Sequence, residues 1–316
     1  METITVKELL AATGGKLLQG DAAAKIFGVN TDSRTVKAGE VFLPLVGERF
    51  DGHDYIEKAL SAGAEGCLCA RVPEALLPGK FYIKVPDTLL ALKDLAAWYR
   101  SQFSIPFVQV TGSVGKTTTK EMIASVLGVK FNTLKTAANF NNEIGTPQTL
   151  LGLSTKHRSA VIETGMDRAG QIRYLGEMVK PDIAVITNVG DMHIEYLGSR
   201  ENILKAKCEI FENLKKDGLA VLNGDDELLD TVTLPDGANA PEQELLRRER
   251  QARVRAAIEA MTPVDREIFL RYYYYLQPAP EIAQAMGLTH GAVRTRLSRG
   301  RAALKKTLLQ EDAVWT

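Results

Sequence analysis

Cysteine is scarce in this 316-residue chain, which holds three: Cys67, Cys69 and Cys208. Cys67 and Cys69 stand two apart in a strand-like run and Cys208 lies in a helix-like one, so no even disulfide framework is implied. A reducing, cytoplasmic setting is expected. Long apolar runs are missing too. None reaches the roughly eighteen residues that cross a bilayer, and the opening METITVKELLAATGG places Glu2, Lys7 and Glu8 where a secretory leader would be apolar. No membrane partner is expected. There is no internal repeat and no low-complexity tract. With 45% hydrophobic and 25% charged residues, disorder is excluded as the dominant state. The length suits about two domains, each able to bury a core without disulfides.

Net charge is also absent, since 39 basic and 39 acidic residues cancel, but the cancellation hides an asymmetry. Glu242 to Thr316 carries 13 Lys or Arg against 9 Asp or Glu, which leaves 26 against 30 ahead of it, so a tail of +4 follows a body of −4. Within the tail, Ile282 to Gln310 has six basic residues and no acid, an imbalance that seeks phosphates.

The first 85 residues mix short β-like runs (Val41 to Leu45, Gly66 to Ala70, Phe81 to Val85) with a helical run from Tyr55 to Ala62, which reads as a small α/β domain. Residues 86–232 alternate helix and strand as in a parallel sheet covered on both faces. A helix spans Asp87 to Phe103, and strands lie at SIPFVQV, Ser159 to Glu163, Asp182 to Thr187 and Ala220 to Leu222. Alternation then stops. Residues 233–241 read as a turn-rich linker and 242–316 as helix alone, so the parallel sheet is expected to be truncated and followed by an all-α domain.

Between the strand at Phe107 and the next helix lies TGSVGKTTTKEM. Gly112 and Gly115 permit a turn in which the amides around Ser113 and Val114 and the helix N-terminus point at phosphate oxygens. Lys116 would reach the outer phosphates, and Thr117 or Thr118 would offer a hydroxyl to Mg²⁺. The spacing departs from the general phosphate-loop pattern, which wants a glycine where Val110 stands. Glu163 ends the strand SAVIE, where doubly wound sheets place ligands, and reads as a Mg²⁺ ligand or as a solvated strand-end acid.

TGSVGKTTTKEM, together with NFNNEIGTP (139–147), TDSRTVKAGEVF (31–42) and GERFDGHDY (47–55), resembles the Mur ligase family. The resemblance implies an N-terminal domain for a UDP-linked substrate and a central ATP-binding domain. It also implies ATP-dependent ligation in peptidoglycan precursor synthesis, through attack of a substrate carboxylate on ATP and an acyl phosphate. ATP and Mg²⁺ would be the cofactors, with UDP-N-acetylmuramoyl-peptide and D-alanyl-D-alanine as substrates. It further implies roles for particular residues. Lys116, Glu163, His193 and Lys207 would be catalytic. Metal would be held by Thr117, Glu163, His193 and a carbamylated Lys207. Ser33, Arg34 and Asn188 would contact substrate, and Asn223 and Asp226 the nucleotide base. Without that frame, Asp-Ser-Arg and Asn-Gly-Asp-Asp are ordinary turn chemistry, His193 a loop histidine and Lys207 a solvated helix lysine. After about Thr231 the rest of the family's central sheet and its third domain have no counterpart, so nucleotide binding is expected to outlast ligation.

The segment from Pro241 to Gln310 resembles region four of extracytoplasmic-function sigma factors. Glu281 to Met286 reads as a short helix, Gly287 as its turn, and Thr289 as the cap of a second helix, which makes a helix-turn-helix. Val293, Leu297 and Leu304 recur on one face. Arg294, Thr295, Ser298, Arg299 and Arg301 fall on or beside the other, suited to phosphates and base edges in a major groove. A solvated basic helix is the plain alternative. The resemblance implies a DNA-binding transcription regulator as a second function, with promoter DNA and RNA polymerase as partners.

Overall fold

Thr5 and Glu8 start the first helix by a reciprocal exchange, in which the Thr5 hydroxyl accepts from the Glu8 amide and the Glu8 carboxylate accepts from the Thr5 amide. The computed structural model describes residues 1–233, 256–275 and 277–312, with side chains of 274 and 305–312 outside the description. The chain divides into two compact units, Met1–Ala238 and Asn239–Thr316. Apart from Thr233, the linker expected at 233–241 lies outside the described residues, as does the start of the tail at 242–255.

In the first unit, β1 (Ile4–Thr5), α1 (Val6–Thr13), β2 (Lys16–Gln19), β3 (Lys25–Ile26), β4 (Gly28–Asn30), β5 (Glu40–Phe42), α2 (Ile56–Ser61), β6 (Gly66–Cys69) and β7 (Phe81–Lys84) follow in order. Five of the strands form a sheet ordered β2-β7-β6-β5-β4, parallel except for the β2–β7 pair. Cys67 and Cys69 lie buried in its middle beside Phe42 and Tyr82, and all three cysteines are free thiols.

Asp87 caps α3 (Thr88–Ser101) by accepting from the Leu90 amide, and α3 leads to the second sheet. There β8 (Phe107–Thr111), α4 (Lys116–Gly128), β9 (Thr133–Lys135), α5 (Gly145–Leu151), β10 (Ser159–Glu163), α6 (Gln171–Val179), β11 (Ile183–Ile186), α7 (Ile194–Leu197), α8 (Arg200–Cys208) and β12 (Leu219–Leu222) alternate. The sheet is parallel throughout and ordered β12-β11-β8-β10-β9. β8 comes first in sequence yet lies in the middle, so the chain runs to the edge strand β9, returns to β10 beside β8, and then crosses to β11 and β12 on the other side. The loops leaving β8, β10 and β11 diverge, which opens a crevice at their carboxyl ends.

Strand alternation decides which helices cover the sheet. Phe107, Ala160 and Ile162 pack with Leu92, Leu95, Leu150 and Met178 of α3, α5 and α6. Val108, Val110, Val161 and Val185 meet Ala124 of α4 on the other face. Val6 and Leu9 of α1 join the same core as α3, so the stretch expected as a separate domain over residues 1–85 shares its interior with the second sheet. Arg100 locks the far end. Buried at the end of α3, it donates to the carbonyls of Val179 (2.7 Å) and Lys180 (3.0 Å) and stacks over the Phe107 ring.

The second unit packs α9 (Pro263–Phe269), α10 (Ala279–Ala285) and α11 (His290–Asp312) around Ile268, Phe269, Ile282, Val293 and Leu297. A π-helical turn over Leu270–Tyr274 follows α9, setting Tyr272 against this core and leaving Tyr273 and Tyr275 exposed. Among the described residues no helix is long and apolar enough to cross a membrane.

Leu92 is fully buried where α1, α3 and the parallel sheet meet. Leu92→Ala is expected to cost about 2–5 kcal/mol in urea unfolding, because the cavity lies in a shared core that cannot collapse from one side.

Candidate functional site

β8 ends at Thr111, and the chain turns through Gly112 (φ 153°) and Gly115 (φ 79°) into α4. A Cβ on Gly112 would stand 1.9 Å from the Thr187 hydroxyl oxygen, so only glycine lets the loops after β8 and β11 approach this closely. Lys116 Nζ donates to the carbonyls of Gly112 (2.8 Å) and Ser113 (3.0 Å), which holds the ammonium at the loop. Burial draws its pKa down and Glu163 partly opposes the shift.

The amides of Ser113 and Val114, expected to face phosphate, are already taken. Both donate to Asn188 Oδ1, at 3.1 and 2.9 Å. Ile186 pairs with Thr111 across β11 and β8, so the two strands end side by side and their loops must meet. The donors left open are those of the first turn of α4, Gly115 to Thr118, which have no intrahelical carbonyl to bond and no side-chain cap.

Glu163 is buried at the end of β10, and its carboxylate accepts from the Thr117 hydroxyl (3.0 Å) and the Asn141 amide (2.9 Å). Of the two candidate hydroxyls, Thr117 therefore makes the contact. Thr118 is exposed. Lys120, also buried, donates to the Thr136 carbonyl (2.8 Å) and lies 3.8 Å from Glu163 Oε2. Lys120, Thr136 and Asn141 escaped the sequence reading. A signal existed for Lys120, which falls on the α4 stripe shared with the buried Ala124 and is a lysine at a core-facing position.

Beside this cluster is a cavity of about 480 Å³ whose walls include Gly112, Lys116, Asn141, Gln171, His193 and Lys207. Three residues expected to share the chemistry thus line one space. His193 holds a left-handed backbone (φ 65°) at the start of α7. Lys207, buried on α8, has its amine pulled down to about 7 by burial first and by repulsion from Lys116 second. Among the described residues no cluster of three or more His, Cys, Asp or Glu forms a metal cage. Mg²⁺ does not need one, being held commonly by one or two carboxylates with phosphate and water, and the Thr117–Glu163 pair supplies hard oxygen donors for that role.

The remaining candidates lie outside the cavity wall. Arg34 is exposed and bonded to Asp32, whose carboxyl it holds down to about 2, and Ser33 lies beside them. Gln148 of α5 donates to Thr31 (2.9 Å) and ties that loop to the central sheet. Asp226 accepts from the amides of Val189 (2.8 Å), Leu228 and Leu229, and Asn223 from Asp225, so both side chains brace backbone. Through Val189, Asp226 supports the loop that carries Asn188 and His193.

In the second unit Gly287 (φ 64°) makes the turn and the Thr289 hydroxyl accepts from the Ala292 amide at the start of α11. Val293 and Leu297 are buried, Leu304 half-buried, and Arg294, Thr295, Ser298, Arg299 and Arg301 are exposed. Arg296 differs from its neighbours by pairing with Asp265 at 2.7 Å, which anchors α11 to α9. Arg301 also donates to the Tyr273 hydroxyl at 3.3 Å.

Three family models match the chain: Mur ligase family, catalytic domain over residues 25–100, Mur ligase middle domain over 110–247, and Sigma-70, region 4 over 251–304. A UDP-N-acetylmuramoyl-tripeptide–D-alanyl-D-alanine ligase of Synechocystis is 48% identical over 205 residues, 65% of this chain and 45% of the relative. That of Bacillus subtilis is 43% identical over 226 residues, covering 71% and 50%. A crystal structure of MurF from Acinetobacter baumannii superposes with a TM-score of 0.69 at 36% identity, covering 72% of this chain and 50% of that one. MurF from Thermotoga maritima in complex with ADP does so with 0.58 at 36% identity, covering 61% and 45%. The chain spans about half the length of the curated relatives it matches.

Burying Lys207 costs stability in a pH-dependent way. The unfolded amine titrates near 10.5 and the folded one near 7, so the penalty is absent above pH 10.5, grows as pH falls and is complete near pH 7. In CO₂-depleted buffer the wild-type chain should gain on Lys207→Met by about 1.4 kcal/mol per pH unit through that window. Parallel urea melts of the two proteins at pH 7.5 and 9.5 check it, and equal slopes would count against a buried neutral amine.

Proposed function

With Mur ligase domains matched over residues 25–100 and 110–247 and a sigma-70 region 4 domain over 251–304 as the premise, we propose that the first unit binds Mg-ATP and a UDP-linked peptidoglycan precursor. The ligases named above, to which it is similar in sequence, join D-alanyl-D-alanine to UDP-N-acetylmuramoyl-tripeptide, and this unit carries the part that activates the carboxylate. One observation supports the reading above others: a glycine loop at the point where the strand order reverses sets Lys116 beside Thr117 and Glu163, on a cavity that His193 and Lys207 also line.

A carboxylate is a poor electrophile until its oxygen is phosphorylated. The substrate carboxylate attacks the γ-phosphorus, ADP leaves, and an amine then displaces phosphate from the acyl phosphate. Such transfers need positioning and cationic surroundings more than a protein nucleophile. The first-turn amides of α4 and Lys116 hold the phosphates. Thr117 and Glu163 would hold Mg²⁺, which would supply positive charge to the phosphate oxygens. Lys207, its amine drawn down to about 7, is available in neutral form around that pH and would add to CO₂ with loss of a proton, turning an amine into a carbamate that supplies a further oxygen. His193 orients substrate or metal from the cavity wall, and Arg34 with Ser33 contacts the diphosphate of the UDP group. Asn223 and Asp226 support the base end of the site. Because the ligase match gives way to the sigma region, nucleotide binding and activation are assigned here and completion of the amide bond is not.

A second reading is favoured by the exposed face of α11. Arg294, Thr295, Ser298, Arg299 and Arg301 all stand in solvent while the opposite face is buried. The second unit then binds promoter DNA, with RNA polymerase as its companion, and makes the chain a transcription regulator.

Two measurements test these assignments. Calorimetry with Mg-ATP should show Lys116→Ala binding more weakly than wild type by roughly tenfold or more, the scale of a lost charged phosphate contact. Equal affinity would remove the nucleotide site. For the second unit, duplex binding should weaken linearly with log salt, and replacing one phosphate-contacting arginine, Arg294 or Arg299, should reduce the slope by about 1. No affinity at low salt ends that reading.

A further inference from the structure

We propose that Asn188 is a positioning residue for the nucleotide seat: it occupies the amides of Ser113 and Val114 and so leaves phosphate recognition to the first turn of α4 and Lys116. The proposal rests on the nucleotide-binding reading above.

Two adjacent amides converging on one oxygen is the arrangement in which a glycine loop holds a phosphate oxygen. Here that oxygen belongs to the protein. Asn188 Oδ1 accepts both donors, and the Asn188 backbone carbonyl accepts the Ser113 amide as well, at 3.1 Å. Neighbouring residues make the contact part of a strap. The Thr187 hydroxyl donates to the Val114 carbonyl at 2.6 Å, and the Gly190 amide donates to the Ser113 hydroxyl at 2.8 Å. Val189 between them is held from behind, its amide by Asp226 and its carbonyl by Arg200. Each residue from 187 to 190 therefore bonds either the glycine loop or the loop's support.

The strap divides the donors. Ser113 and Val114 serve shape, while Gly115 to Thr118 remain for a ligand, at the positive end of a 13-residue helix. A neutral carboxamide suits this position. Alanine would leave the Val114 amide without an acceptor and the Ser113 amide with the backbone carbonyl alone, and aspartate would accept both but set a negative charge against the phosphates. The same strap continues to His193, so the position of that side chain in the cavity depends on the seat of the nucleotide.

The geometry admits an opposite use, in which Asn188 is a stopper that a nucleotide must displace, and sign separates the two. Calorimetry of Mg-ADP on the full chain should show Asn188→Ala weakened by roughly tenfold, the scale of one or two lost hydrogen bonds, with the melting temperature little changed. Hydrogen exchange on the nucleotide-free protein should show slow exchange at Ser113 and Val114, which Asn188→Ala abolishes at Val114 and reduces at Ser113. ADP should then add protection at Gly115 to Thr118. Tighter or unchanged ADP binding by Asn188→Ala, or fast exchange at the two amides in wild type, overturns the proposal. If Asn188→Ala fails to fold, Arg200→Met loosens the strap from behind by freeing the Val189 carbonyl, with weaker binding expected and tighter or unchanged binding contrary. Equal ADP affinity of wild type and Lys116→Ala would sink the nucleotide reading instead, while exchange without nucleotide would still report the Asn188 bonds.

Discussion

The absence of a side chain at Gly112 sets the geometry on which the first unit depends. Because that residue has no Cβ, the loops leaving β8 and β11 close to bonding distance, and their amides, hydroxyls and carboxamides satisfy one another. The close approach has a topological cause. β8 and β11 are neighbours although helices, β9 and β10 separate them in sequence, and parallel neighbours send their loops out on the same side. From that meeting follow the shape of the phosphate loop, the place of Lys116 and the reach of His193 into the cavity.

A second consequence concerns charge. Lys116 and Lys207 line the cavity together with the acids Glu143 and Asp167, while Lys120 stands between Glu121 (3.1 Å) and Glu163 (3.8 Å). Burial draws down the amines of both Lys116 and Lys207, opposed at Lys116 by Glu163 and reinforced at Lys207 by repulsion from Lys116, which leaves the Lys207 amine at about 7. A polyphosphate beside Lys116 would favour the charged form of both cavity amines. Glu163 keeps its own lone pairs engaged by Thr117 and Asn141, so its oxygens are fixed before any cation arrives.

The second unit solves a different problem with a small core. Ile268, Phe269, Ile282, Val293 and Leu297 fill it, and Gly300 lets α11 come against the Phe269 ring, where a Cβ would stand 2.3 Å from the ring edge. One arginine of α11, Arg296, is spent on holding the helix to Asp265. The others face outward, so basic character and packing are separated around one helix by its 3.6-residue period.

Much of this was legible before any coordinates. Periodicity located the alternation of strand and helix, because burial of one face imposes a period that sequence alone records. The glycines and Lys116 marked the loop, and Gly287 with Thr289 marked the second turn, since left-handed turns and helix caps are local requirements met by few residue types. Tertiary structure decided the partners. That Asn188 closes the Ser113 and Val114 amides, that Lys120 stands behind Glu163, and that Asp226 braces a loop are contacts between residues 37 to 75 positions apart. No local pattern encodes them, because they depend on which strands became neighbours. Sequence determined which residues carried suitable chemistry; the order of strands in the sheet decided which of those groups would meet, and which would be spent on holding the others still.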